Sequence, residues 1–466
     1  MNQYVDLKRF APLPLAILLG VGSFLLFGQG GERVLLVAAG LAVVALLVAA
    51  LAMPWLTLMV VPAAIPLGDA AVGGGLLSVG LGASLLVVGL VVVGRLLRGL
   101  SPIPVPVAGW WMLGLVVLLV LSTPGAVSSD LALRQLAGIA IGALMALCIA
   151  TTCHTERAIK RAVGFVLAGG GAALALGLTK SASVSASYGG AVVEGSIGIY
   201  SEHNQAGSLG AALFVLAVGA ACAARGPLTG LLTGAVAVLG LVQTALSLSR
   251  GAWIGAVLGL VVLVVLAPRV LRPLLTGVAL AGVLLLAVSS SSPVFEILAH
   301  RAGTIGKESP AAADERPTIW REALREFDEA PLLGHGPGSF RVVAGQSSSL
   351  AYTARPVHAH NLLLTVAAED GGLAVLAVLG LTLAVGAHLW RAIRTSPPHA
   401  ATLSAGVAAA LCTFVGQGLV DVPLRNTSIE VLMWLLVGLA LGCGGRRDGL
   451  PEGAGPTSRV TGRSLA

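Results

Sequence analysis

Long apolar runs, most of them near 20 residues, alternate with short polar segments along this chain of 466 residues. A bilayer core of about 30 Å requires roughly 20 apolar residues per helix, so each run predicts a membrane span. Because a chain inside hydrocarbon must satisfy its own backbone hydrogen bonds, the spans should be α-helices. We therefore predict an all-α integral membrane protein with about 14 transmembrane helices, and the short or proline-containing early runs extend the range to 12–14. The runs lie near residues 12–29, 34–53, 55–68, 74–94, 105–122, 132–150, 158–178, 204–222, 229–247, 251–267, 272–290, 361–390, 400–420 and 427–443.

Residues 291–358 depart from this pattern and form one long polar segment. They contain 15 of the 49 Lys, Arg, Asp and Glu residues, together with His300, His335 and His358. We predict one large extracytoplasmic loop that carries short helices. The functional site should lie in this loop and at the helix ends that it touches.

The composition excludes a soluble domain. Hydrophobic residues make up 56% of the chain and charged residues 11%, whereas an average soluble domain has about 25% charged residues. The net charge of +7 comes from small basic groups between the spans, so it does not indicate a nucleic-acid partner. The five cysteines lie in the spans or at their ends and none lies in the polar loop, which gives no sign of a disulfide framework.

The distribution of basic residues predicts the orientation in the membrane. Cytoplasmic connections are enriched in Lys and Arg, and alternation from a cytoplasmic N-terminus places every large basic cluster on the cytoplasmic side. Both termini are then cytoplasmic and the 291–358 loop is extracytoplasmic. We divide the chain into N-terminal transmembrane helices (1–190), a region that contains the loop and the candidate site (191–443), and a disordered cytoplasmic tail (444–466).

Arg250 interrupts the apolar pattern between the ninth and tenth runs, in the segment Ser247–Trp253. An arginine inside a span costs roughly 2.5–3.5 kcal/mol on insertion scales, so it tends to face a cavity or a partner. Its position is also typical of an interfacial arginine that reaches the lipid headgroups, with Trp253 in the aromatic belt. The pattern by itself favours this second interpretation.

The segment Glu315–Phe327 predicts an amphipathic surface helix, with Pro317 in its first turn. Its apolar residues form one face, and Arg316 lies four residues before Trp320 on the buried side of the helix. A guanidinium held at a membrane surface is well suited to bind phosphate. Arg321 and Arg325 point elsewhere, and we interpret them as solvated charges beside Glu322 and Glu326.

The segment Pro331–Phe340 ends that helix with a glycine-rich turn. No strand precedes it and no ATP is present outside the cell, so a nucleotide-binding loop is the weaker interpretation. We predict a tight structural turn against the bilayer.

Two histidines, His358 and His360, lie where the loop re-enters the membrane. A His-x-His pair can bind a metal ion, but the sequence shows no third and fourth ligand at a suitable spacing, so we expect no metal. A neutral imidazole at the lip of a cavity can act as a general base near neutral pH. Gly371 should lie three turns below His360 on the same helix face, leaving space beneath the histidine, whereas Glu369 falls on the opposite face and is not expected to be its partner.

The segments described above, taken in their order and spacing along the chain, resemble the motifs of the O-antigen ligase and O-antigen polymerase superfamily. The resemblance covers residues from about 195 to 440, and the first 190 residues are similar only in hydropathy. The family more often has a proline before the asparagine that corresponds to Asn204. The residues that carry the resemblance are Ser249-Arg250-Gly251, Arg316 with Trp320, Pro331-Leu332-Leu333-Gly334-His335-Gly336, His360-Asn361, Glu369 with Gly371, Gly198–Asn204, and Asp421-Val422-Pro423.

The resemblance implies an inverting glycosyltransferase without metal or cofactor, in the inner membrane of a bacterium and acting on its extracytoplasmic face. It would move a glycan from undecaprenyl pyrophosphate to a hydroxyl of lipid A-core or of a lipid-linked glycan. His360 would then be the catalytic base, Arg250 and Arg316 would bind the donor pyrophosphate, and the prenyl chain would lie among the spans. Possible supporting residues are His358, Asn361, Gly371, Asn204, Arg425 and Arg134.

Two alternatives stay open at this point. The sequence does not distinguish a ligase from a polymerase or from a protein glycosyltransferase, because acceptor recognition lies in variable parts of the loop. A polysaccharide or lipid transporter would also have many spans and scattered arginines. Such transporters bind their substrate near mid-membrane, whereas the basic and histidine residues here gather at one face.

Overall fold

The computed structural model describes residues 53–68, 71–72, 77–100, 103, 105–179, 183–188, 191–273, 276–277, 316–346 and 358–444. The predicted spans near 12–29 and 34–53, most of the span near 272–290, and the tail after Gly444 lie outside the described residues. The same holds for the loop before Arg316 and between Gln346 and His358.

Helices account for nearly all of the described structure; one short 3-10 turn precedes the first described α-helix, and five more each follow an α-helix. The helices are α1 (Thr57–Ala64), α2 (Val79–Leu97), α3 (Val107–Ser122), α4 (Ser129–Thr152), α5 (Glu156–Thr179), α6 (His203–Ala223), α7 (Pro227–Leu246), α8 (Arg250–Leu266), α9 (Arg316–Glu329), α10 (Phe340–Val343), α11 (Leu362–Thr395), α12 (Pro398–Gly418) and α13 (Thr427–Gly442). The strands are β1 (Ala71–Val72), β2 (Leu77–Ser78), β3 (Ser183–Tyr188) and β4 (Ala191–Ser196), which pair as two antiparallel hairpins. The fold is therefore helical apart from these two hairpins.

Eight of the described helices are long and apolar enough to cross a membrane, namely α2–α7, α11 and α12. Three shorter apolar helices lie at Pro54–Leu67, Arg250–Leu266 and Thr427–Gly442. Each apolar run predicted inside the described residues thus corresponds to an apolar helix. The predicted total of about 14 spans is not confirmed, because three of the runs lie wholly or largely outside the described part of the chain.

Small residues bring the central helices close together. A Cβ atom added at Gly219 of α6 would come within 2.6 Å of the Cα of Gly406 in α12, and one added at Gly255 of α8 would come within 2.4 Å of the carbonyl oxygen of Thr413. Close backbone approach through glycine is a usual way for helices to associate in a membrane. α6, α8 and α12 therefore form a buried bundle, and the candidate site lies at one end of it.

Contacts between distant helix ends identify two sides of the bundle. The Ser122 hydroxyl at the end of α3 donates to the carbonyl of Leu333 in the polar loop, at 2.7 Å. At the far end of α11, the ring of His388 hydrogen-bonds to the carbonyl of Cys443, at 2.9 Å. These contacts agree with the predicted alternation of helix ends, and the assignment of the loop side to the extracytoplasmic space remains a prediction.

Helix α11 breaks at Gly371, which has φ 78° and ψ 176°. The break leaves the carbonyls of Ala368 and Glu369 without helical partners, and the backbone N–H groups of His335 and Gly336 donate to them at 3.2 and 2.8 Å. A Cβ atom at Gly371 would lie 2.3 Å from the carbonyl oxygen of Leu332, so only glycine fits there. The glycine-rich segment is therefore a structural turn, as predicted. Its N–H groups pair with the carbonyls that the break in α11 leaves without helical partners.

The predicted position of Gly371 beneath His360 is wrong. His360 precedes α11 and has a left-handed φ of 49°, so it does not belong to the helical repeat used in that prediction. Gly371 contacts the turn at Leu332 and leaves no space for a ligand at its own position.

Candidate active site

His358 and His360 converge on the carboxylate of Asp421, which follows the end of α12. The Nε2 atom of His358 and the Nδ1 atom of His360 each lie 3.2 Å from the same oxygen, Oδ1. The centroids of the two rings are 4.3 Å apart. His358 and Asp421 are buried, whereas the side chain of His360 is 30% exposed.

Local hydrogen bonds fix this arrangement where α11 begins and α12 ends. The Asn361 side chain caps α11, because its Oδ1 accepts from the N–H of Leu364 at 3.1 Å. Its Nδ2 donates to the carbonyl of Leu419 at 3.0 Å, which ties the cap to the end of α12 two residues before Asp421. Asn361 thus positions the start of α11 against the end of α12, and its supporting role in catalysis stays a prediction.

The charges in this cluster determine which ring nitrogens are free. Burial opposes ionisation of Asp421, but the hydrogen bonds from His358 and His360 outweigh it and hold the pKa of this carboxyl well below its usual range. Burial lowers the pKa of His358, against the raising effect of its bond to Asp421. An ionised carboxylate only accepts, so each imidazole donates its bonded N–H to it. When the rings are neutral, the other nitrogen of each ring is an acceptor: Nε2 of His360 and Nδ1 of His358.

The expectation that the histidine pair lacks a third metal ligand is wrong. His358, His360 and Asp421 each offer one ligand atom, and these atoms lie within 4.8 Å of one another. The sequence did not reveal this group because Asp421 lies 61 residues after His360. The two facing nitrogens can bond to the ionised carboxylate of Asp421 as N–H donors, whereas a metal ligand would have to present a lone pair in their place. We therefore interpret the cluster as a hydrogen-bonded triad.

Arg250 begins α8 on the same side of the bundle as the two histidines. Ser249 caps the helix by accepting from the N–H of Ala252 at 3.3 Å. A Cβ atom on Gly251 would lie 3.8 Å from the Cβ of Asp421, so the helix start packs directly against the triad. Trp253 donates its indole N–H to the carbonyl of Thr244 at 2.9 Å. Arg250 is half-buried and lies at a packed helix start beside the triad.

Asn204 lies in the packing behind the triad. Its carbonyl oxygen accepts from the Gln417 side chain at 3.3 Å and from the Ser208 hydroxyl at 2.8 Å. Ser208 also donates to the side-chain oxygen of Gln417 at 2.8 Å. Since Gln417 lies four residues before Asp421, these bonds connect α6 to the end of α12. The supporting role of Asn204 in the site stays a prediction, and the contribution of Gln417 to this connection was not predicted.

Arg316 is half-buried in the first turn of α9, an amphipathic helix as predicted. Ile319 and Ala323 on its apolar face share a small buried cluster with Ala359 and Ala368. Ala359 lies between the two histidines in the chain, so this cluster places the start of α9 near the triad. The structure agrees with the predicted apolar packing of α9 and brings Arg316 to the side where Arg250 lies.

Arg321 and Arg325 are exposed, in agreement with their interpretation as solvated charges, but Glu322 and Glu326 beside them are buried. Arg325 pairs with Glu322 and Glu329, whereas Glu326 is fully buried and neither of its carboxylate oxygens has a partner among the described residues. Burial, reinforced by the charges of Glu322, Glu369 and Glu329 and opposed by Arg325, raises the pKa of Glu326 to about 8. This helix therefore packs a protonated acid against the membrane domain.

Glu369 does not contact the histidines, in agreement with its prediction. Its carboxylate accepts from the backbone N–H of Phe340 at 3.2 Å and from the side chain of Gln135 at 3.3 Å. These bonds fix the segment that follows the glycine-rich turn against α11 and connect α11 to α4. The partner of His360 is Asp421, which the sequence had identified only as part of a motif.

The two arginines that were predicted as supporting residues, Arg425 and Arg134, lie beside a large cavity between the helices. Arg425 pairs with Glu202 at 3.0 Å, and Arg134 pairs with Asp130 at 2.9 Å. Both arginines and His358 contribute to the wall of the cavity, whose volume is about 1290 Å³. Most of the wall is apolar and is formed by α2, α3, α4, α8, α11, α12 and α13. We call it the interhelical cavity.

The fold and the site together define a helical membrane protein with a histidine–carboxylate centre at one face. Residues 235–379 match the family model described as O-Antigen ligase. The match confirms the resemblance to the O-antigen ligase and polymerase superfamily, and this family indicates a glycosyltransferase-type enzyme that acts on lipid-linked glycans. The matched segment contains Arg250, Arg316 and His360 and ends before Asp421 and Arg425. No curated protein matches the chain.

Proposed function

We propose that this protein is an inverting glycosyltransferase that transfers a glycan from undecaprenyl pyrophosphate to an acceptor hydroxyl. The reaction would take place on the extracytoplasmic face of the bacterial inner membrane, in the assembly of a surface polysaccharide. The observation that carries the proposal is the bond from His360 to the buried carboxylate of Asp421. It leaves the other ring nitrogen of a partly exposed histidine as a proton acceptor beside the start of α8.

The geometry supports a direct displacement. His360 Nε2 takes the proton of the acceptor hydroxyl while the acceptor oxygen forms a bond to the anomeric carbon. The bond between that carbon and the pyrophosphate oxygen breaks, and undecaprenyl pyrophosphate leaves with the electron pair, which inverts the anomeric centre. Asp421 stabilises the imidazolium that forms, and Arg250 and Arg316 neutralise the charge that develops on the leaving group. No metal ion takes part in this scheme.

The proposal is tested with purified protein in detergent, a lipid-pyrophosphate-linked oligosaccharide as donor, and two separate acceptors, lipid A-core and a second lipid-linked unit. We expect release of undecaprenyl pyrophosphate and extension of one acceptor, which distinguishes a ligase from a polymerase. The rate should be the same with and without EDTA. Loss of transfer in EDTA and recovery with Zn²⁺ would instead assign a metal to the triad.

A transporter is the alternative from another class. Its substrate site is expected near mid-membrane, whereas the triad and the starts of α8 and α9 lie at one face of the bundle. Flipping of a labelled lipid-linked glycan in protein-containing liposomes, without acceptor and without release of the pyrophosphate, would favour this alternative.

Replacing Arg316 with Lys should lower kcat/KM at least about tenfold. A planar guanidinium binds two phosphate oxygens at once, whereas an ammonium is a point charge, and loss of one charge-assisted hydrogen bond costs about 1.5–3 kcal/mol. The matched control is Arg321→Lys on the exposed side of the same helix, which should transfer at the normal rate. Normal kcat/KM in Arg316→Lys would remove Arg316 from the phosphate site.

Replacing Glu326 with Gln should stabilise the protein and flatten its pH dependence. With a pKa of about 8 in the folded protein and about 4.3 in the unfolded chain, the folded state binds the extra proton between these values. Stability of the wild type therefore falls as pH rises from about 4.5 to about 8 and then levels off, by a few kcal/mol. Thermal unfolding in detergent from pH 5 to pH 9 measures this. Glu329→Gln, on the exposed side, is the control, and equal pH slopes in wild type and Glu326→Gln would contradict the prediction.

A further inference from the structure

Two of the three separations between the ligand atoms of the triad match those in a tetrahedral zinc site. Oδ1 of Asp421 lies 3.2 Å from Nε2 of His358 and 3.2 Å from Nδ1 of His360. With metal–ligand bonds of about 2.0–2.1 Å, two ligands of a tetrahedral Zn²⁺ are about 3.3 Å apart. The third separation is no more than 4.8 Å, so the two rings need to approach each other by at most about 1.5 Å.

The donor set and the exposure of the triad also suit zinc. Two imidazole nitrogens and one carboxylate oxygen occur together as protein ligands of Zn²⁺, and such sites keep a fourth position open. The side chain of His360 is 30% exposed, so an ion has access from solution and water can fill the fourth position. In the part of the chain that the structure describes, no other group of three His, Cys, Asp or Glu ligand atoms lies as close together. We therefore expect one ion at this position.

Metal binding and base catalysis require different tautomers of His360. Without metal, Nε2–H of His358 and Nδ1–H of His360 donate to the ionised carboxylate, and Nε2 of His360 is the proton acceptor. An ion among the three residues bonds to the same two facing nitrogens through their lone pairs. Each neutral ring then carries its proton on its other nitrogen, so no proton is released. His360 now presents Nε2–H to the acceptor hydroxyl and has no lone pair with which to take its proton.

Two features of the surroundings oppose a permanently bound metal. Nδ1 of His358 has no hydrogen-bond partner among the described residues, whereas a zinc-bound imidazole usually donates its other N–H to a fixed acceptor. Loss of such a partner weakens metal binding about 10–100-fold. The positive charge of Arg425 also acts on His358 and repels a second cation beside it. The ion should therefore bind reversibly, and the metal-free triad is the active form.

From these observations we propose that His358, His360 and Asp421 form an inhibitory binding site for Zn²⁺. The inference rests on the proposed function, because inhibition follows from the loss of the base on His360. It adds regulation to the same site: free zinc lowers the rate of glycan transfer, and removal of the zinc restores it. Ions that favour imidazole, such as Cu²⁺ and Ni²⁺, should act like Zn²⁺. Mg²⁺ and Ca²⁺ prefer oxygen ligands and should not.

The first measurement detects the metal directly and does not depend on activity. The full chain, without a polyhistidine tag, is titrated in detergent with Co²⁺, whose visible absorption reports four-coordinate geometry, and Zn²⁺ is added to displace it. We expect one displaceable Co²⁺ per chain. His358→Gln and Asp421→Asn should each weaken binding more than about 100-fold, because even outer-shell partners contribute 10–100-fold. His399→Ala, at the opposite end of the bundle, is the control and should bind Co²⁺ normally.

Titration of glycan transfer with Zn²⁺ tests the inhibition. Zn²⁺ that saturates the site should lower kcat of the wild type at least about 100-fold, the contribution of a general base, and leave KM for the donor unchanged. Excess EDTA should restore the full rate. The residual transfer of His358→Gln should not respond to Zn²⁺ in the same concentration range. Equal inhibition of both enzymes would assign the effect to zinc on the donor pyrophosphate and overturn the inhibitory site, as would an unaffected wild type.

Failure of this inference is distinguishable from failure of the proposed function. Normal transfer, together with no Co²⁺ binding or with absorption that persists in both His358→Gln and Asp421→Asn, would refute the metal site and leave the glycosyltransferase in place. Metal binding at the triad of a protein that transfers no glycan would support the site and refute the proposed reaction. Loss of transfer in EDTA with recovery in Zn²⁺ would overturn both the inhibitory role and the metal-free mechanism.

Discussion

Replacing His360 with Ala should reduce kcat for glycan transfer about 10²–10⁴-fold, the usual contribution of a general base. The imidazole is held by Asp421 at 3.2 Å and is 30% exposed, so its free nitrogen is accessible to an acceptor hydroxyl. The variant should still insert, unfold at the normal temperature and bind the donor lipid. Release of undecaprenyl pyrophosphate under saturating donor and acceptor measures the effect.

The control is His399→Ala, at the start of α12 on the side opposite the triad, which should transfer normally. His358→Ala is the informative comparison, because His358 bonds to the same carboxylate oxygen. A fully active His360→Ala enzyme together with an inactive His358→Ala enzyme would assign the base to the buried histidine.

Replacing Asp421 with Asn should cost transfer about 10³–10⁴-fold, as expected when an imidazole is held in the wrong tautomer. The carboxylate accepts the Nδ1–H of His360, which leaves Nε2 free to take a proton. An amide can donate to Nδ1 instead, and the proton then sits on Nε2 and blocks the base. Both histidines would also lose the negative charge that stabilises the imidazolium. Initial rates across pH 5–9 measure both the loss and any change in the shape of the profile.

Two comparisons make this result specific. Asp328→Asn, on the exposed side of α9, should leave transfer unchanged. Asp421→Glu keeps the charge but lengthens the side chain, so it should recover part of the lost rate and retain the pH profile of the wild type. An Asp421→Asn enzyme with a normal rate and profile would show that the carboxylate only supports packing.

The membrane architecture could be predicted because hydrophobic burial in a bilayer depends on local composition. Each apolar run between residues 55 and 443 that the structure describes is an apolar helix within a few residues of its predicted bounds, such as α6 at His203–Ala223 against 204–222. The amphipathic face of α9 was predicted for the same reason. The hairpin of β3 and β4 was not predicted, although Ser183–Tyr188 alternates between polar and apolar residues, because this short segment lies between two long apolar runs.

The site was predicted only in part because its geometry depends on distant contacts. His360 and Arg316 were proposed from polar residues at the boundary of apolar segments, and Arg250 was proposed from the resemblance, because its position alone favoured an interfacial role. The pairing of His360 with Asp421 depends on where α12 ends. Asp421 lies 61 residues after His360 in the chain, so no local sequence pattern predicts the contact. Gly371 was placed wrongly because the helical repeat assumed continuity, and burial of Glu326 was missed because its spacing fits an exposed ion pair.

The insertion of the glycine-rich turn into the break of α11 determines how substrates can reach the triad. The N–H groups of His335 and Gly336 satisfy two carbonyls of a membrane helix, and leaving such groups unpaired in a low-dielectric environment costs several kcal/mol. The described centre of the polar loop is therefore tied to α11 by backbone hydrogen bonds. For the proposed reaction we expect lipid-linked substrates to reach the triad laterally from the bilayer, beside this turn and not through it.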